Sequence, residues 1–162
     1  MWSKRYLRPL RNSAKAFFAS RIRQADPLGK IRILLADDHR QFRLIVESLL
    51  ASTCEVVGSV PDGQSLFDAA RHLKPDVIVT DISMPILNGI EASKQLSESG
   101  CAAKIIFLTV HSDADFVETC LATGAVGYVL KSQITTDLIP AVQEALAGRI
   151  FVSPPFSNEA VP

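Results

Sequence analysis

The sequence predicts a doubly wound α/β domain over residues 31–150: a parallel sheet of strand order 2-1-3-4-5 with helices on both faces. Three observations predict it. Short apolar runs alternate five times with helix-period segments, the pattern of a parallel sheet built from βα units. The runs are nearly continuous in Ile, Leu and Val, as strands buried on both faces must be. Asp37, Asp38, Asp81, Thr109 and Lys131 stand where four of these runs stop, and ligands in this topology bind at the carboxyl ends of the strands.

The elements follow in order. Ile31–Ala36 reads as the first strand. A helix from about Gln41 to Ala51 places Phe42, Ile45, Val46, Leu49 and Leu50 on one face. Cys54–Val60 is the second strand, broken by Pro61-Asp62-Gly63, where Asp62 can cap a helix reaching Leu73. Lys74-Pro75 stops that helix and Asp76–Thr80 forms the third strand. After Met84-Pro85 and Asn88-Gly89 a helix runs near Ile90–Glu98, ended by Gly100. Lys104–Leu108 is the fourth strand, and Ser112 or Asp113 starts a helix ending at Gly124. Gly127–Leu130 is the fifth strand. Thr135 or Thr136 opens the last helix, which runs to Gly148 with Pro140 inside its first turn.

The 162 residues, 48% apolar and 21% charged, provide one domain with a real core and argue against global disorder. The longest apolar stretch, Ile105–Val110, is far short of the roughly 20 residues that a membrane-spanning helix needs. Zero net charge conceals an asymmetry: residues 1–30 hold eight basic residues against one acid, net +7, and the rest holds nine basic against sixteen acidic, net −7. Three cysteines, Cys54, Cys101 and Cys120, have neither disulfide parity nor zinc spacing, and a reducing cytoplasm fits them. Cys54 and Cys120 read as small core residues.

Adjacent carboxylates at Asp37 and Asp38 repel one another unless a hard dication with oxygen ligands offsets the repulsion. One of them could instead cap the following helix. Asp81 ends the third strand, adjacent to the first in the proposed order, so three carboxylates converge. A carboxylate beside a bound dication can attack a phosphoryl donor. Lys131 would add a positive charge and Thr109 a hydroxyl. No Gly-rich phosphate loop follows the first strand, which argues against a nucleotide or flavin enzyme. Ser83 stands where a haloacid-dehalogenase-type phosphatase would need a second aspartate.

Leu34–His39, Asp81-Ile82-Ser83-Met84-Pro85 with Asn88-Gly89, Leu108-Thr109-Val110 and Gly124–Lys131 together resemble the receiver domain of two-component response regulators. The resemblance covers about residues 31–150 and implies a flavodoxin-like (βα)5 fold. It makes Asp81 the phosphoacceptor for a sensor histidine kinase or phosphotransfer protein. Mg2+, with Mn2+ as a substitute, would be held by Asp37, Asp38, Asp81 and the backbone carbonyl of Ser83. Lys131 and Thr109 would hold the phosphoryl oxygens. Tyr128 occupies the aromatic switch position, whose ring turns inward when the threonine is drawn to the phosphate. The face built from the fourth helix, fifth strand and fifth helix then changes shape. Ser83 and His111, two residues after Asp81 and Thr109, fall where the family tunes hydrolysis of the acyl phosphate. Such a protein is no enzyme beyond catalysing its own phosphoryl transfer and dephosphorylation. The competing reading is a stand-alone receiver that binds or dimerises without phosphorylation.

Most receivers carry a proline after the lysine, in a cis peptide; here Ser132 stands there, and a cis bond before a non-proline costs about 3 kcal/mol. Val110 is larger than the small residue often found after the threonine. His39 and His72 have no ligand spacing with other histidines and read as structural. Residues 134–155 resemble the last helix and exit of the LuxR/NarL/FixJ-type subfamily, which carries a helix-turn-helix. Seven residues follow Pro155, so the expectation is a receiver without a DNA-binding module, standing alone or cut before it, with 151–162 as a tail or truncated linker. Subfamily analogy suggests a homodimer through the first and fifth helices. Residues 1–30 read as a basic, flexible extension, in which Trp2, Tyr6, Leu10, Ala14, Phe17 or Phe18 and Ile22 could line one helix face.

Overall fold

Ile31–Ala36 forms β1, the strand from which the sheet grows in both directions, in a computed structural model that describes residues 29–154. The reading of residues 1–30 as a flexible extension falls almost wholly outside the described residues. The elements continue as α1 (Arg40–Leu50), β2 (Cys54–Val60), α2 (Gly63–Leu73), β3 (Val77–Asp81), α3 (Gly89–Glu98) and β4 (Lys104–Thr109). They end with α4 (Ala114–Ala122), β5 (Gly127–Leu130), a 3-10 turn (Lys131–Gln133), α5 (Ile134–Leu146) and β6 (Phe151–Val152). The sheet is parallel throughout, in the order β2-β1-β3-β4-β5-β6.

Period-2 alternation divides the core into two layers. Ile33, Leu35, Val77, Val79, Ile106, Leu108 and Val129 face α1 and α5, against Val46, Leu50, Leu138 and Val142. Leu34, Ile78, Phe107, Tyr128 and Leu130 pack on the other side with Leu66, Ala92, Leu96 and Cys120 from α2, α3 and α4. Both Cys54 and Cys120 are buried, and burial pushes the Cys120 thiol up to about 11.

Side-chain caps set three helix starts. Asp62 accepts from the Ser65 amide at 2.8 Å, Asn88 from Glu91 at 2.9 Å and Asp113 from Phe116 at 3.0 Å. At the far end of α2, Lys74 adopts a left-handed φ of 48° before Pro75.

Four sequence expectations need correction. Ile45 is 52% exposed, because α1 turns Val46 and Leu50 to the sheet instead. The last helix begins at Ile134, after the 3-10 turn, so Thr135 and Thr136 are already helical and Pro140 lies in the second turn. The strands carrying Asp81 and Thr109 each run one residue further than expected and end on those residues. The segment after Gly148 is more than a tail: Phe151 and Val152 pair with Gly127 and Tyr128. Ser153, buried, donates to Asp137 Oδ2 at 2.6 Å and accepts from the Leu130 amide at 3.2 Å. These bonds clasp the exit strand to β5 and to the first turn of α5.

Gly89 shows how tightly α3 is set against β3. A Cβ there would lie 2.1 Å from the Asp81 carbonyl oxygen, and the Gly89 amide donates to Ile82 O at 2.8 Å. The obstruction is backbone, which no rotamer change relieves. Gly89→Ala should therefore destabilise the domain by about 3 kcal/mol in chemical denaturation, because α3 and the loop after Asp81 must separate.

Candidate functional site

Register brings the strand ends together. Ala36 pairs with Thr80, Asp81 with Leu108 and Thr109 with Leu130. Asp37, Asp81, Thr109 and Lys131 thus end adjacent strands at one sheet edge. Asp37 is fully buried, Asp81 and Thr109 nearly so, and the Lys131 side chain is 14% exposed. Asp38, with a side chain 34% exposed, lies at the mouth.

Lys131 Nζ lies 2.6 Å from Asp37 Oδ2 and 3.1 Å from Asp81 Oδ2. Backbone amides hold the other carboxylate oxygens: His39 N donates to Asp37 Oδ1 at 2.8 Å and Ile82 N to Asp81 Oδ1 at 2.7 Å. One ammonium is therefore shared by two buried carboxylates. Burial pushes the Asp81 carboxyl above its ordinary range, against the pull of Lys131, with the Asp37 charge adding to the rise. Burial opposes charge on Lys131 too, but its bonds to Asp37 and Asp81 outweigh it and raise its pKa. The lysine has two carboxylate partners, which is why its bonds outweigh its burial, whereas for Asp81 burial outweighs its one cation.

Three carboxylates and one ammonium leave a surplus of two negative charges, which suits a dication. Ligand atoms of Asp37, Asp38, His39 and Asp81 all lie within 4.8 Å of one another, close to the roughly 4.2 Å across an octahedral Mg2+ site. Carboxylate oxygens are the donors that such a hard ion takes. The residues fit the ion. His39, read from the sequence as structural, belongs to this cluster, with Nδ1 2.7 Å from Asp38 Oδ1. Its place directly after Asp38 in the sequence is the signal for this contact.

Thr109 Oγ1 accepts from the His111 amide at 3.0 Å, and Tyr128 OH donates to the His111 carbonyl at 2.8 Å. Tyr128 is 1% exposed, so its ring occupies the inward position, and burial pushes the phenol up to about 12. The His111 ring stacks on Phe116 with centroids 4.4 Å apart. The Ser83 side chain is exposed, as is Val110 at 75%, on the rim. Every peptide among the described residues is trans, Lys131–Ser132 included. Arg43, unnoticed in the sequence, donates to the Asp37 carbonyl and ties α1 to the turn that carries the two aspartates. Among the described residues no helix is long and apolar enough to cross a membrane.

The chain is 36% identical over 135 residues to the transcriptional regulatory protein DegU of Brevibacillus brevis, covering 82% of this chain and 57% of that protein. It is 37% identical over 123 residues to the nitrate/nitrite response regulator protein NarL of Escherichia coli, covering 75% and 57%. It thus spans somewhat over half the length of these relatives. A two-component response regulator of the LuxR family from Aurantimonas superposes with a TM-score of 0.74 at 33% identity, over 77% of this chain and 91% of that one. Residues 33–143 match the response regulator receiver domain, and with the flavodoxin-like sheet and the acidic pocket at its carboxyl edge, the chain belongs to the receiver domains of two-component response regulators.

Proposed function

We propose that the protein is the phosphoacceptor of a two-component phosphorelay and that Asp81 takes the phosphoryl group from a phosphohistidine of a sensor histidine kinase or phosphotransfer protein. The Lys131 ammonium shared between Asp37 and Asp81 carries this reading. It places a cation where negative charge arrives. A carboxylate oxygen of Asp81 forms the new P–O bond as the P–N bond of the donor breaks, and the leaving imidazole nitrogen takes a proton. Lys131 exchanges its bond to Asp37 for one to a phosphoryl oxygen. Thr109 accepts from His111 N through its oxygen, so its own proton is available to the phosphoryl group.

Asp37, Asp38, Asp81 and the Ser83 carbonyl would hold Mg2+, which neutralises charge on the transferring group; Mn2+ accepts the same oxygen ligands. Tyr128 is tethered to the carbonyl of His111, whose amide holds Thr109. A shift of Thr109 towards the phosphate therefore reaches Tyr128 and the α4-β5-α5 face. The positions of Ser83 and His111 support a part in tuning hydrolysis, the protein acting on no phosphate but its own. A cytoplasmic location accords with free cysteines and a kinase partner. The homodimer through α1 and α5 is supported by exposed Leu44 and Ile45 on α1 and Leu146 on α5.

Incubation with a small acyl phosphate and Mg2+ should add one phosphoryl group by intact mass, and a chelator should prevent it. Labelling that is equally fast in the chelator would contradict the metal-dependent reading.

A further inference from the structure

Phe42 is the third residue of α1, the helix that starts directly after the Asp37-Asp38-His39 turn. Its ring centroid lies 4.6 Å from Lys131 Nζ, well inside the roughly 6 Å over which a cation is attracted to an aromatic face. The ring is half-buried and packs against the α1–α5 layer of the core. Its neighbour Arg43 anchors the same turn of helix to the Asp37 carbonyl. The ring thus has a fixed place beside the ammonium, on a rigid element.

We infer that Phe42 is a positioning residue for Lys131: its ring face fills one side of the ammonium and keeps it poised between Asp37 and Asp81. This rests on the proposed phosphoacceptor role of Asp81. An ammonium has three N–H groups, and two oxygens, Asp37 Oδ2 and Asp81 Oδ2, lie within reach. A water on the remaining side would hydrate the charge and draw it outward. A carboxylate or carbonyl there would hold it in a fixed direction. The aromatic face does neither, since its attraction has no lone pair to align with. The ammonium can pivot from Asp37 to an incoming phosphoryl oxygen without leaving the ring.

A leucine at this position would fill much of the same space without the ring's charge distribution, and a tyrosine would keep the face. Labelling by a small acyl phosphate reads the site without any partner protein. Phe42→Leu should label about threefold to tenfold more slowly than the parent chain, while Phe42→Tyr stays within about twofold and Mg2+ affinity changes in neither. A Phe42→Leu rate equal to the parent's overturns the inference, as does a Phe42→Tyr rate as slow as that of Phe42→Leu, which would mean packing alone. Exchange of the Lys131 ammonium protons with water, followed by 15N NMR, gives the same comparison without phosphorylation. Faster exchange in Phe42→Leu alone supports the inference, and equal exchange in all three proteins overturns it. A parent chain that takes no label at all refutes the phosphoacceptor reading while leaving this second comparison able to decide on Phe42.

Discussion

Asp81→Asn should take up no phosphoryl group from a small acyl phosphate, and its unliganded fold should be more stable than the parent's. The first effect is chemical: an amide oxygen is a poor nucleophile and the acyl phosphate cannot form. The second is electrostatic. Burial raises the Asp81 pKa above its ordinary 3.8. Below that value the folded and unfolded states are both protonated. As pH rises from there through the folded pKa, the unfolded chain releases its proton first, so stability falls, and at neutral pH ionised Asp81 is a net cost. Asparagine removes that cost. It can keep an oxygen for the Ile82 amide, and Lys131 retains Asp37 at 2.6 Å, so no cation is stranded. The gain should be about 1 kcal/mol at pH 7 and shrink as the pH falls towards the ordinary carboxylate range, because the raised folded pKa makes the cost of ionisation fade in that direction. Thermal melts across that pH range read it. A less stable Asp81→Asn protein at neutral pH would mean that Lys131 outweighs burial.

Lys131→Met should have the opposite sign on stability and slow labelling without abolishing it. Without the ammonium, Asp37 and Asp81 face one another buried and uncompensated. Removing one partner from a buried ionic group typically costs about 3–5 kcal/mol. Labelling should slow by about a hundredfold or more, the scale set by losing a preorganised donor to developing charge. Mg2+ separates this account from a simple packing defect. A dication supplies the missing positive charge, so Mg2+ should raise the melting temperature of Lys131→Met by more than it raises that of the parent. Equal increments in the two proteins would show that the carboxylates are not in competition for one cation.

Much of the fold was legible because its signals are local. Apolar runs such as Ile105–Leu108 mark strands buried on both faces, and Asp62 and Asp113 cap helices through their own neighbours. The convergence of Asp37, Asp81, Thr109 and Lys131 was legible because parallel strands in this order put their ends at one edge. What stayed hidden depends on contacts distant in sequence. Ile45 and Val46 are both apolar, and the orientation of α1 on the sheet decides that Ile45 faces solvent. The two-residue β6 is too short to announce itself and exists because Ser153 finds Leu130 and Asp137. The ring of Phe42 read as a core residue, and its place over Lys131, almost ninety positions away, follows only from packing. His39 lacks a histidine partner in the sequence, and its contact with the adjacent Asp38 follows from the turn between β1 and α1.

Under the proposed function one carboxylate of the three, Asp81, receives the phosphoryl group. Borohydride reduces an acyl phosphate of aspartate to homoserine, which peptide mass spectrometry locates. After brief labelling with a small acyl phosphate and Mg2+, homoserine should appear at position 81 and unmodified aspartate at 37 and 38. Homoserine at 37 or 38, or a stable label that borohydride leaves untouched, would contradict it.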